Sequence, residues 1–188
     1  MEAFRKTVSI LQVIIVALAA GLTVLGAVMI YMVIQVKPGG FIGGAGPQLA
    51  GLPLLTIVMD GISLVILLLS IFLPPVMLNI MTTNWAKKAL PIDGDLASWE
   101  TSDLTWLDRV PGESLQTLLN LFHTNRFVSV ALCEAAGMIS SIAYLLEARF
   151  VSLALLVAAI TMMIWRVPTQ STLNHWVYSQ MERLKREK

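Results

Sequence analysis

FVSVALCEAAGMISSIAYLL, residues 127–146, decides the fold. Every residue in it is apolar or small and neutral, apart from Tyr144 and one carboxylate, Glu134. About 20 predominantly apolar residues are what a helix needs to cross a hydrocarbon layer of roughly 30 Å. An ionised carboxylate at the centre of such a helix costs about 2.5–3.5 kcal/mol on insertion scales. A chain keeps the group by pairing it, by protonating it or by using it. The stretch therefore reads as a transmembrane helix with a polar group inside.

The rest of the sequence agrees with that class. The chain has 188 residues, 56% hydrophobic and only 13% charged, against roughly 25% charged in ordinary soluble domains. The deficit comes from long uncharged runs. Val8–Val36 and Phe150–Trp165 hold no Asp, Glu, Lys or Arg, and Gly51–Met81 holds only Asp60. These runs predict four spans in a single membrane domain, at about 8–36, 51–78, 127–146 and 150–166, the last being short. Arg5 and Lys6 followed by an apolar run resemble a signal peptide, but the run far exceeds the roughly 7–15 residues of a signal core, which predicts a retained first helix. A net charge of +1 gives no basic surface for nucleic acid. The single cysteine, Cys133, lies in a span and has no internal partner for a disulfide.

Basic residues set the orientation. Arg5 and Lys6 at the start, Lys87, Lys88, Arg109 and Arg126 between the second and third spans, and Arg166, Arg183, Lys185, Arg186 and Lys188 at the end fall on one side of a four-span chain. The other side has Lys37 and Arg149. Basic loops stay cytoplasmic, so both termini and the segment 82–126 are expected in the cytoplasm.

The connections differ in character. Lys37–Ala50 is rich in Gly and Pro and nearly uncharged, and reads as an external turn. No strand precedes its glycines, so it does not read as a phosphate cradle. Pro74–Pro75 should kink or stop the second helix. The segment 82–126 carries Trp85, Trp99 and Trp106 among acidic residues, and Leu115, Leu118, Leu119 and Phe122 recur at helical spacing. That spacing predicts a cytoplasmic interfacial helix leading into the third span. Glu147-Ala148-Arg149 alone joins the last two spans, which requires an antiparallel hairpin. After Pro168, residues 169–188 form an amphipathic helix with Leu173, Trp176 and Val177 on one face. It is expected to lie on the anionic inner leaflet and contact membrane lipids through Trp176, Arg183, Lys185 and Arg186. Docking onto a partner is the alternative.

Two kinds of residue in the spans carry chemistry. Ser129, Cys133, Gly137 and Ser141 stand four apart, a small-residue stripe that lets helices approach closely. Glu134 sits about 100° round the helix from Cys133, at the edge of the stripe, and is expected to face protein. Ala17 and Gly21 head a comparable small face on the first span. The two intramembrane carboxylates, Glu134 and Asp60, suggest a proton relay. Counted at 1.5 Å per residue they lie roughly 10 Å apart in depth, two stations instead of a shared-proton pair. His123 and His175 read as interfacial residues. No clustered His, Cys or carboxylates imply a metal or cofactor, and no nucleophile–base set implies a catalytic residue.

Ala131, Leu132, Glu134, Ala135 and Ala136, then Tyr144, Leu145 and Leu146, then Pro168, Thr169 and Trp176 carry a resemblance. The chain resembles a group of small bacterial inner-membrane proteins with four helices and an A-L-x-E-G-A-like motif near the start of the third. It departs from them at Ala135, where Gly is usual, and in its longer cytoplasmic loop. The resemblance implies a four-helix fold and a carboxylate in the third helix, and no particular activity. A fainter likeness, to the proteolipid subunits of rotary ATPases, rests on small-residue helices and one buried Glu. The expectation is an all-α integral membrane protein with four transmembrane helices plus cytoplasmic interfacial amphipathic helices. As a non-enzyme it would serve as a scaffold or accessory subunit that forms a homo-oligomer or joins other membrane subunits. The alternative is a proton- or cation-conducting proteolipid using Glu134.

Overall fold

Helices account for nearly all of the chain described by the computed structural model, which covers residues 2–36, 40, 48–49, 52–89 and 112–186. α1 (Glu2–Tyr31) closes in a π-helical turn, Met32–Val36. Two-residue strands, β1 (Gln48–Leu49) and β2 (Leu52–Pro53), pair antiparallel. α2 (Leu54–Ala89), α3 (Gly112–Glu147), α4 (Phe150–Trp165) and α5 (Gln170–Arg186) follow. The fold is all-α in class. Most of the Gly- and Pro-rich turn, and residues 90–111 with Trp99 and Trp106, lie outside the described residues.

Three helical stretches are long and apolar enough to cross a membrane: Val8–Val36, Leu54–Thr83 and Gln116–Glu147. A fourth is reached only if α4 is counted together with α5. With 16 residues α4 is about 24 Å long, short of the roughly 30 Å hydrocarbon core. Two elements run further than the sequence reading had them. α2 does not end near residue 78 but passes through Pro74 and Pro75 to Ala89. The expected interfacial helix and third span are one helix, because Leu118 and Phe122 fall in phase with Ser129 and Cys133, and nothing between them breaks the period.

The contacts divide the chain into two units. The first comprises Met1–Val13, Leu73–Phe127 and Pro168–Lys188. Its core gathers Val8 and Leu11 from α1, Leu118 and Phe122 from α3, and Leu173 and Val177 from α5. Trp176 meets Phe122 edge-on, with ring centroids 5.1 Å apart, and the Arg126 guanidinium lies 5.4 Å from the Phe122 ring centre. Gln12 on α1 donates to the Pro168 carbonyl at 2.7 Å. Leu173 and Val177 are 0% exposed, so the apolar face of α5 is spent on protein.

The second unit comprises Ile14–Phe72 and Val128–Val167. α3 is its hub. Within this unit Gly137 of α3 lies against Leu22 of α1 and Ala159 of α4, and serines of α3 bond to serines of α2. Gly26 of α1 packs on Leu156 of α4. Gly137 is ten residues before the α3–α4 turn and Ala159 nine after it, so the two helices run back alongside one another as an antiparallel hairpin. Ala148 makes the turn at φ 54°, its N–H bonding the Tyr144 carbonyl at 2.7 Å, a left-handed cap. Gly40, at φ 88°, rests on the backbone of Leu146 and Glu147, where any Cβ would collide.

Candidate functional site

The second unit holds a group of buried polar side chains, and a seam of hydroxyls on α2 organises them. Thr56, Asp60, Ser63, Leu67 and Ser70 recur at alternating steps of four and three, the spacing that keeps one helix seam against a neighbour. Thr56, Ser63, Leu67 and Ser70 are buried. Ser63 Oγ donates to the Ala136 carbonyl at 2.8 Å and lies 2.6 Å from Ser140 Oγ. Ser129 Oγ donates to the Ser70 carbonyl at 2.9 Å. Cys133 Sγ donates to Ser70 Oγ at 3.4 Å, which in turn donates to the Leu67 carbonyl at 2.7 Å.

The Ser129 bond has a cause in the sequence. In an unbroken helix the Ser70 carbonyl accepts from the N–H of residue 74. Residue 74 is proline and has no N–H. The carbonyl left over is the one Ser129 satisfies, which is how a proline is carried inside an apolar helix.

Asp60 sits at the turn end of this unit. Ser152 Oγ, on the first turn of α4, donates to Asp60 Oδ2 at 3.1 Å, while Oδ1 is buried and unpartnered. Arg149 attracts the Asp60 carboxylate and Glu147 repels it. Glu147 is itself held 3.4 Å from Arg149 Nε, with its side chain only 3% exposed. Thr56 Oγ1, one turn from Asp60, is also buried without a hydrogen bond. No group of three or more His, Cys, Asp or Glu among the described residues is placed to hold a metal ion.

Glu134 lies elsewhere. The hydrogen bonds put Ser63 level with 136–140 and Ser70 level with 129–133. Glu134 is thus level with Leu67, about 10 Å along α2 from Asp60. It is also on the opposite side of α3 from the seam, at the edge of an outward arc with Met138 (46% exposed) and Ile142 (43% exposed). Its carboxyl has no hydrogen-bond partner among the described residues. Within Gln116–Glu147 it falls roughly 4 Å from the mid-point.

The structure therefore brings some of the expected residues together and parts others. Ser129 and Cys133 meet α2, and Gly137 meets α1 and α4. Ser141 is buried but bonds back to the Gly137 carbonyl at 2.8 Å on its own helix. Ala17 and Gly21 do not meet another helix of this chain. Both are exposed, with open space around Gly21, because α1 turns its Leu11, Ile15, Ala19 and Leu22 face to the core instead. Glu134, expected to face protein, stands at the border of the outward arc. Trp176 packs on Phe122, and the side chains of Arg183, Lys185 and Arg186 lie outside the described residues. The hydroxyls of Ser63, Ser70, Ser140 and Ser152 were not singled out from the sequence. Their signal was present: Thr56, Ser63 and Ser70 stand seven apart in a run that is apolar but for them, Asp60 and Gly61. No protein family matches the chain, and no curated protein or solved structure matches it either.

Proposed function

We propose that the chain is a multi-pass bacterial inner-membrane scaffold or accessory subunit, without catalytic activity of its own, that oligomerises or joins a larger membrane complex. In this reading α1, α2, α3 and the short α4 give four spans, both termini are cytoplasmic, and α5 lies on the cytoplasmic side. The observation that carries it is the use made of the buried hydroxyls. The hydroxyls of Ser63, Ser129 and Ser140 are spent on helix-to-helix hydrogen bonds, the glue of helices in lipid. An outward surface dominated by Val, Ile, Leu and Phe supports the membrane setting. Purification of the tagged chain in native lipid discs, followed by native mass measurement, tests the role. A defined multimer or a co-purifying membrane subunit is expected, and a bare monomer would refute it.

A second reading, a proton- or cation-conducting proteolipid, is favoured by the position of Glu134 on the outward arc. A pH-gradient flux assay in liposomes separates the two. The scaffold reading expects no flux from the wild type or from Glu134→Gln, since an amide can keep a hydrogen bond but cannot release a proton here. Wild-type flux that vanishes in the Gln variant would favour conduction.

A further inference from the structure

We propose that Thr56, Asp60 and Glu147 hold one alkali-metal cation between α2 and α3, at the end of the second unit where α3 turns into α4. The site does not depend on the oligomeric reading above.

The register of two seams places these residues. On α3, Ser129, Cys133, Ala136, Ser140, Ala143 and Glu147 recur at alternating steps of four and three, as Thr56, Asp60, Ser63, Leu67 and Ser70 do on α2. The two helices run antiparallel, and their seams meet in layers seven residues apart. Ser70 meets Ser129 and Cys133 in one layer, and Ser63 meets Ala136 and Ser140 in the next. One further step of seven sets Thr56 against Ala143 and Glu147. In the first two layers the α2 hydroxyl has a direct partner, and in the third it does not. Thr56 is 0% exposed, yet its Oγ1 makes no hydrogen bond. Glu147 Oε2, opposite it by register, and Asp60 Oδ1, one turn along α2, are likewise buried without a hydrogen bond among the described residues.

The surrounding chain does not relieve these oxygens. Thr23, Ser141 and Thr161 bond back to the carbonyl four residues earlier in their own helices. Thr56 is the third residue of α2, so no turn of its helix lies behind it. Ser152 serves Asp60 Oδ2 and leaves Oδ1. Buried oxygens without partners are costly in an apolar medium, and polar groups kept inside a span mark ion sites. The donor set selects the ion. It is all oxygen, hydroxyl and carboxylate, which suits a hard cation over a transition metal. Arg149 offsets Glu147 in an ion pair at 3.4 Å, so Asp60 is the one carboxylate of the layer left to balance, and a single positive charge balances it. A proton on Asp60 bridges two of the three oxygens at most, whereas a coordinated cation takes all three.

The test melts the full chain in mixed micelles in sodium, potassium or choline chloride at equal ionic strength. Sodium or potassium should raise the melting temperature over choline, and the rise should saturate. Equilibrium dialysis with radioactive sodium, or with rubidium standing in for potassium, should show one ion bound per chain. Thr56→Val should weaken that binding by about tenfold or more, since even an outer-shell partner of a metal is worth about 10–100-fold. Asp60→Asn should abolish it. Ser63→Ala, in the neighbouring layer, should melt lower and keep the salt response. Equal melting in all three salts with no ion bound overturns the site, water or a proton then filling the layer. A response to calcium alone overturns the single charge. Wild-type binding in both Thr56→Val and Asp60→Asn overturns the ligand assignment. The wild-type melts and dialysis need no variant, so they decide the site even where Asp60→Asn does not fold.

Discussion

Ser129 is the residue whose role is most fully determined by another residue's defect. Its hydroxyl bonds a carbonyl that Pro74 cannot serve. Ser129→Ala should cost about 1 kcal/mol of stability, the scale of a hydrogen bond between helices in lipid. Pro74→Ala supplies the missing N–H, so in that background the same Ser129→Ala change should cost less. A double-mutant cycle read by unfolding in mixed micelles measures the difference, and equal costs in the two backgrounds would disprove the coupling. Gly137 is governed by space. A Cβ there would overlap a terminal methyl of Leu22, which can swing aside, and stand 3.3 Å from the Ala159 Cβ. Gly137→Ala is expected to cost under about 1 kcal/mol, and Gly137→Leu about 1–3 kcal/mol by overpacking. Thermal melts and accumulation in membranes should separate the two variants. Similar melting points for both would contradict the close packing.

At the scale of the element, what was legible followed from periodicity. The apolar runs gave α1 and α4 close to their observed places, and the three-residue connection Glu147-Ala148-Arg149 gave the hairpin. The course of α2 past its prolines was not legible. Proline removes a donor locally, and whether the helix stops depends on a hydroxyl 55 residues further on at Ser129. The face turned inward by α1 was not legible either. Ala17 and Gly21 are as suited to close packing as Ala19 and Leu22, and the choice between them rests on what α4 presents, here Leu156 against Gly26. For α5 the amphipathic pattern was plain, but a pattern cannot say whether lipid or protein covers the apolar face. Phe122 does so at Trp176. Trp176→Ala and Phe122→Ala should therefore be non-additive in stability by about 0.5–1.5 kcal/mol, the measured range for edge-to-face aromatic pairs. Additive losses would return α5 to the membrane surface as an independent helix.

For the whole molecule, the distribution of Lys and Arg makes the orientation testable. A thiol placed at Gly43 should react with an impermeant reagent in intact cells, and one at Gly94 should not, because the basic segments stay inside. Labelling at Gly94 would invert the topology and with it the assignment of both termini to the cytoplasm. The proline-freed carbonyl of Ser70 has a further consequence, for biogenesis. In hydrocarbon an unsatisfied backbone carbonyl costs several kcal/mol, and its donor belongs to a helix made later. Until α3 leaves the ribosome and enters the bilayer, α2 holds an open acceptor at its proline step. The insertion machinery should then retain α2 beside the exit gate and release it with α3 as a pair. Site-specific photocross-linking of arrested nascent chains to the translocation channel would show α2 lingering in wild type and departing early once Pro74 is replaced.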